Sequence, residues 1–180
     1  MKKTNLIKLV NAALCLALCM VLPFLTGQIP QIGSALAPMH IPVLLCGLIC
    51  GWPYGLVVGL VAPILRFALF GMPPLFPVGA AMTFELAAYG LCAGLLYKKL
   101  PKTLPCLYAS LISAMLAGRI VWGVAMAVIA GVSEVTFSFS AFVAGAFITA
   151  IPGIVCHILI IPLLVIALKK AHVIENECIA

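Results

Sequence analysis

The chain has 180 residues, of which 66% are hydrophobic and only 8% are charged, and its mean hydropathy is +1.32. This composition excludes a water-soluble fold with a polar shell and predicts an all-α integral membrane protein. The net charge is +6, but the lysines are few and lie in three small clusters outside the apolar runs, so we expect no nucleic-acid partner.

Apolar runs separated by Pro, Gly or Lys predict one membrane domain over residues 1–180 with six transmembrane helices. A spanning helix needs roughly 20 mostly apolar residues, and the second and third runs are short by this measure. The predicted spans are about 5–25, 40–52, 54–71, 77–97, 107–131 and 141–168.

The first span follows Lys2, Lys3 and Lys8 and therefore resembles a signal peptide. No small-x-small cleavage pattern closes it and further spans follow, so we interpret it as a retained helix. Ala13 and Ala17 form a small-xxx-small pair on it, a spacing that lets a second helix approach closely within lipid.

Cysteines are numerous, with eight in the chain, and nearly all lie in apolar segments. The pairs Cys15/Cys19 and Cys46/Cys50 have helical i, i+4 spacing that suits either a metal ion or packing. Neither pair has a His or an acid nearby in sequence, so we predict packing, with no metal and no cofactor.

The positions of the lysines predict how the chain is oriented in the membrane. If the N-terminus is cytoplasmic, six spans put the C-terminus and the 98–106 connection on the same side, where five further lysines lie. The opposite connections, about 26–39, 71–77 and 132–140, contain no Lys or Arg, as the positive-inside rule requires of outer loops. The long 26–39 loop is either a lid over a membrane pocket or a plain connection.

Four charged or histidine residues lie well inside the predicted spans, away from the span ends, and each is costly in hydrocarbon unless it faces a partner or a cavity. They are Arg66, Glu85, Arg119 and His157. The first three are expected in the outer half of the membrane, and His157 past the midplane toward the cytoplasm. We expect His157 to bond a carbonyl freed in a kinked helix near Pro152.

Two arginines against one glutamate leave a positive charge that an anionic ligand such as a carboxylate would balance. The alternative is a closed network in which Glu85 holds one arginine while Glu134 or backbone carbonyls hold the other. In the first case, replacement of Arg66 or Arg119 by Ala should abolish binding.

Neighbouring side chains extend this candidate site. Tyr89 falls at i+4 from Glu85, and Trp122 falls at i+3 from Arg119, so each shares a helix face with a charged residue. His40 lies between Pro38 and Pro42 at the expected outer edge, where it either contacts the ligand or marks the start of a helix.

Enzymatic signatures are missing from the sequence. It has no Walker A loop, no HExxH, no GxSxG and no aspartate at all. We therefore expect a protein that is not an enzyme and does not hydrolyse ATP.

Three stretches together carry a family resemblance that spans essentially the whole chain. They are "NAALCLALC", "LAPMHIPVLLCGLICGWPYGLVVGLVAPILRFALFGMPPLFP" and "MTFELAAYGLCAGLLY". With six predicted helices, the chain resembles the substrate-binding S components of energy-coupling factor (ECF) vitamin transporters, and the 36–97 block is the most specific part.

The resemblance implies a binding subunit in the bacterial plasma membrane that takes a vitamin or precursor from outside and delivers it through a T subunit bearing two ATPases. Ala13 and Ala17 would contact the T subunit, with Cys15 and Cys19 keeping that surface flat, and the 26–39 loop would gate the ligand. The surplus arginine favours an acid, pantothenate before biotin, a folate or a pyridoxine-like compound, and disfavours thiamine. The alternative is a stand-alone small-molecule permease.

Overall fold

The computed structural model describes residues 3–26, 35–133 and 138–171, and these residues form helices and short connections without a strand. Glu134, most of the expected gate at 26–39 and the C-terminal tail lie outside the described residues. The α-helices are α1 (Lys3–Val21), α2 (His40–Cys50), α3 (Trp52–Phe70), α4 (Ala80–Lys99), α5 (Leu104–Val132), α6 (Phe139–Val143) and α7 (Ile151–Lys170).

Five segments in the described part of the chain are long and apolar enough to cross a membrane. They are Asn5–Leu25, Trp52–Phe70, Leu75–Lys99, Leu104–Val132 and Phe139–Lys170. The remaining predicted span is α2, which has only 11 residues. At about 1.5 Å per residue, α2 reaches roughly half of a 30 Å hydrocarbon layer, so its first residue begins inside the bundle.

A one-residue reversal joins α2 to α3. Gly51 has a φ of 98°, a conformation that side chains bearing a Cβ rarely adopt, and Pro53 follows within the first turn of α3. The tight turn expected from "CGWPYG" is present, and it makes α2 and α3 a helical hairpin.

Glycines let the hairpin pack directly on α4. A Cβ added at Gly55 would lie 2.7 Å from the carbonyl oxygen of Gly90, and one at Gly59 would lie 2.4 Å from that of Leu86. These backbones touch as they do at small-xxx-small interfaces in membranes. The Gly55/Gly59 pair is therefore used inside the chain, and it fixes the height of α4 relative to α3.

The last membrane segment is interrupted. A π-helical turn at Ala144–Ile148 separates α6 from α7, and Ser138 caps α6 by accepting a hydrogen bond from the Ala141 amide at 3.2 Å. Because the segment from Phe139 to Lys170 has 32 residues, it is longer than one straight span requires.

Candidate substrate-binding site

Glu85 on α4 is the centre of a buried polar cluster, and its side chain is only 2% exposed. Its Oε1 lies 3.0 Å from Arg119 Nη1, and it accepts a hydrogen bond from the Tyr89 hydroxyl at 3.2 Å. His40 Nε2 lies 3.5 Å from the same oxygen. We call Glu85, Tyr89, Arg119 and His40 the Glu85 cluster; it joins α2, α4 and α5.

Helix geometry explains how α4 and α5 supply three of these groups. Glu85 and Tyr89 are one turn apart on the same face of α4. The Tyr89 ring lies across Gly118 of α5, where an added Cβ would come 2.5 Å from Tyr89 Cε1. Gly118 therefore lets α4 and α5 approach closely enough for Arg119 to reach Glu85. The sequence analysis missed Gly118, for which the only signal is a glycine within a helical run.

His40 is the first residue of α2, where the sequence predicted the start of the second span. It is buried, its ring meets Tyr89 edge-on with centroids 5.1 Å apart, and it stacks on His157 of α7 with centroids 5.9 Å apart. The sequence placed His40 at the outer edge and His157 past the midplane toward the cytoplasm; both depths cannot hold, because the two rings are in contact.

His157 contacts the residues that immediately precede α2. Its Nε2 lies 3.3 Å from the carbonyl oxygen of Ala37, a non-glycine residue with a φ of 45°. Gly153, one turn earlier on α7, lies against the carbonyl oxygens of Ala35 and Leu36. Irregular backbone deep in a membrane protein needs such internal partners. His157 does bond a freed carbonyl, as expected, but that carbonyl belongs to the connection before α2 and not to its own helix.

Arg66 lies in a different environment. Its guanidinium donates to the carbonyl oxygen of Met20 near the end of α1 and is flanked by the rings of Phe24 and Phe70, at 5.1 and 5.2 Å. In the described ranges, no ion pair joins Arg66 to Glu85. The two arginines thus have different neighbours among the described residues: Arg66 contacts Met20 and two phenylalanine rings, whereas Arg119 pairs with Glu85.

Trp122 packs between α5 and the last segment. Its ring stacks on Phe142 at 6.2 Å, and a Cβ at Gly145 would come 3.0 Å from it. Phe139 and Phe147 also contact Phe142. Trp122 is one turn from Arg119 but belongs to this aromatic group, which holds α6 against α5.

The Glu85 cluster contains polar atoms without partners. Within the described part of the chain, His40 Nδ1, His40 Nε2 and Arg119 Nε are buried and make no hydrogen bond. His40 Nε2 thus lies 3.5 Å from Glu85 Oε1 without forming a hydrogen bond. Each unpaired buried group costs about 1–3 kcal/mol. Such atoms are uncommon in proteins, and a bound ligand, an ion or an ordered water would supply the partners that they lack.

Cysteine side chains pack in the interior between α1 and α2. Cys15, Cys19, Cys46 and Cys50 are buried free thiols. Among the described residues, no group of three or more His, Cys, Asp or Glu side chains has an arrangement that would hold a metal ion.

Ala13 and Ala17 are exposed on the opposite face of α1, among exposed apolar neighbours such as Leu14 and Leu18. The expectation that Cys15 and Cys19 keep this surface flat was wrong, because both thiols point inward. The accessible surface of α1 consists of small alanines beside larger apolar residues.

Comparison with known proteins identifies one family. Residues 7–168 match the family model described as "ECF transporter, substrate-specific component". No curated protein and no solved structure gives a significant match.

Proposed function

This chain belongs to the family of ECF transporter substrate-specific components, and from this premise we propose that it captures a vitamin-like small molecule at the Glu85 cluster. Members of this family are substrate-binding subunits of transporters and not enzymes. The observation that carries the proposal is the set of unpaired buried atoms on His40 and Arg119, next to a buried Glu85. A ligand bound at the cluster would supply the partners that these atoms lack.

Delivery depends on other subunits. We propose that the captured molecule enters the cell when the protein docks on a T subunit that carries two ATPases, in the plasma membrane of a bacterium. The exposed Ala13 and Ala17 on α1 support this docking face, because small side chains allow close approach of a partner helix in lipid. The lysines at the ends of α4 and α7 favour a cytoplasmic location for those ends.

The charge around Glu85 bears on the choice of substrate. The sequence favours pantothenate because two arginines against one glutamate leave a surplus positive charge for an acid to balance. Arg66 instead lies against Met20, Phe24 and Phe70, so only Arg119 could receive an acid, and Glu85 already holds it. Pantothenate remains a useful probe, but the charge surplus that favoured it is not present in the Glu85 cluster.

The test is to identify what the protein retains. Purified full-length protein is incubated with yeast extract, washed and denatured, and the released compounds are identified by mass spectrometry. We expect one small molecule, the captured ligand, which is absent when Glu85→Gln protein is used. Protein that releases nothing would contradict the proposal, and substrate flux into liposomes containing this chain alone would favour the stand-alone permease.

A further inference from the structure

We propose that α6 and the π-helical turn after it, residues 139–148, form the entrance through which the substrate reaches the Glu85 cluster. We call these residues the α6 segment. It swings away from α5 about the turn that precedes α7, and it closes again when the Phe142 ring packs on Trp122. This inference rests on the proposed function and concerns the route to the site.

The Glu85 cluster is buried in this structure, so a molecule enters it only if a neighbouring element moves. The side chains of Glu85 and Arg119 are 2% and 12% exposed. Trp122 follows Arg119 by one turn on α5, toward the end that the lysine positions predict to be outside. Because the α6 segment packs on Trp122, it lies beside the route from the outer surface to Arg119.

Little of the α6 segment is buried in the protein. None of the five residues of α6 is buried, and within the π-helical turn only Ala146 is buried. In contrast, nine of the 11 residues of α2 are buried. Elements with few buried contacts separate from the rest of a fold at the lowest cost in free energy. We therefore expect the α6 segment to open more readily than the long helices.

The connection between the π-helical turn and α7 supplies the hinge. Pro152, in the first turn of α7, has no N–H and cannot donate a helical hydrogen bond to the carbonyl oxygen of Ile148. Immediately after this break α7 is anchored, because Gly153 lies against the carbonyl oxygens of Ala35 and Leu36. The α6 segment can therefore rotate while α7 stays in place.

Two aromatic rings and two glycines hold the α6 segment closed. A Cβ added at Gly123 would lie 2.4 Å from Phe142 Cε2, and one added at Gly145 would lie 3.0 Å from Trp122 Cη2. The Phe142 and Trp122 rings stack with centroids 6.2 Å apart. Each ring thus fits against a glycine of the facing element, so removal of the Phe142 ring should favour the open position.

Thiol labelling tests the opening without any ligand. Ala146→Cys places a thiol at a position that is 0% exposed, and Ala114→Cys, also 0% exposed but on α5, is the matched control. Purified full-length protein in nanodiscs is treated with a water-soluble maleimide, and peptide mass spectrometry measures each position separately from the native cysteines. We expect position 146 to react at least ten times faster than position 114, and Phe142→Ala to accelerate the reaction at 146 at least tenfold. Equal rates at the two positions, or no acceleration, would overturn the inference.

A reversible cross-link tests whether the opening admits the substrate. Gly123→Cys combined with Phe142→Cys replaces the ring contact with two thiols, which a short bis-methanethiosulfonate reagent joins and a reductant releases. We expect the cross-link to slow binding and release of the compound identified by mass spectrometry at least tenfold, and reduction to restore both rates. Phe142→Cys alone, treated alike, is the control. Unchanged rates in cross-linked protein would overturn the entrance and leave the proposed function intact, whereas failure to capture any compound would contradict the proposed function, and the entrance with it.

Discussion

His157 on α7 stacks on His40 at the start of α2, with ring planes inclined by 18° and centroids 5.9 Å apart. The same imidazole contacts the carbonyl oxygen of Ala37, 120 residues away in sequence. The position of His40 relative to Glu85 therefore depends on the last helix of the protein.

The His157 contact gives the first prediction. His157→Phe retains an aromatic ring for the stack but removes the hydrogen bond to Ala37, so the segment that carries His40 loses its anchor. We expect the affinity for the captured ligand to fall about tenfold, equivalent to roughly 1.4 kcal/mol. Equilibrium dialysis measures the effect, and unchanged affinity would mean that stacking alone positions His40.

The Glu85–Arg119 pair gives the second prediction. Glu85→Gln leaves Arg119 as an unpaired buried charge, which should destabilise the protein by about 3–5 kcal/mol and abolish binding. Adding Arg119→Met removes the orphaned charge, so thermal stability in detergent should largely recover while binding stays absent. A double variant no more stable than Glu85→Gln would show that the pair is not energetically coupled.

The contact between Gly118 and Tyr89 gives the third prediction. Gly118→Ala would bring a Cβ to 2.5 Å from Tyr89 Cε1, so the ring must move and its hydroxyl must leave Glu85. We expect at least a tenfold loss of affinity for the captured ligand. Gly131→Ala on the same helix is the matched control, since it makes the same chemical change in open space. Equal affinities of the two variants would refute the role given to Gly118.

Arg66 gives the fourth prediction, which reverses the one drawn from sequence. Arg66→Ala removes a hydrogen bond to Met20 and contacts with Phe24 and Phe70, and should cost about 1–3 kcal/mol of stability. Affinity for the captured ligand should stay within threefold of wild type. Thermal unfolding and dialysis on the same sample separate the effect on stability from the effect on binding. Lost binding with normal stability would indicate that Arg66 contacts the substrate.

The exposed face of α1 gives the fifth prediction. Ala13→Trp or Ala17→Trp places a large ring where close helix contact is expected, so uptake by cells that contain the complete transporter should fall at least tenfold. Ligand binding by the purified protein should not change, because both alanines face away from the core. Val128→Trp, at a 60% exposed position on α5, controls for added bulk and should leave uptake unchanged.

The sequence predicted the class of protein and most of its helices, because hydropathy is a local property of each segment. Mean hydropathy, the lysine-free connections and the 36–97 block were sufficient to indicate a helical membrane protein of the ECF substrate-specific family, which the match over residues 7–168 confirms. The same reasoning counted six spans, whereas five segments of the described residues are long and apolar enough to cross a membrane, and the run at 40–52, already short by sequence, is an 11-residue helix.

The sequence also identified Glu85, Arg119, Tyr89 and His40 as candidate site residues, because ionisable and aromatic groups in an apolar chain are few. It could not separate Arg66 from Arg119. Spacing along a helix gives the height of a side chain, whereas the packing of neighbouring helices decides which partner it faces. Only the tertiary structure shows that Arg66 contacts Met20, that His40 stacks on His157, and that Arg119 pairs with Glu85.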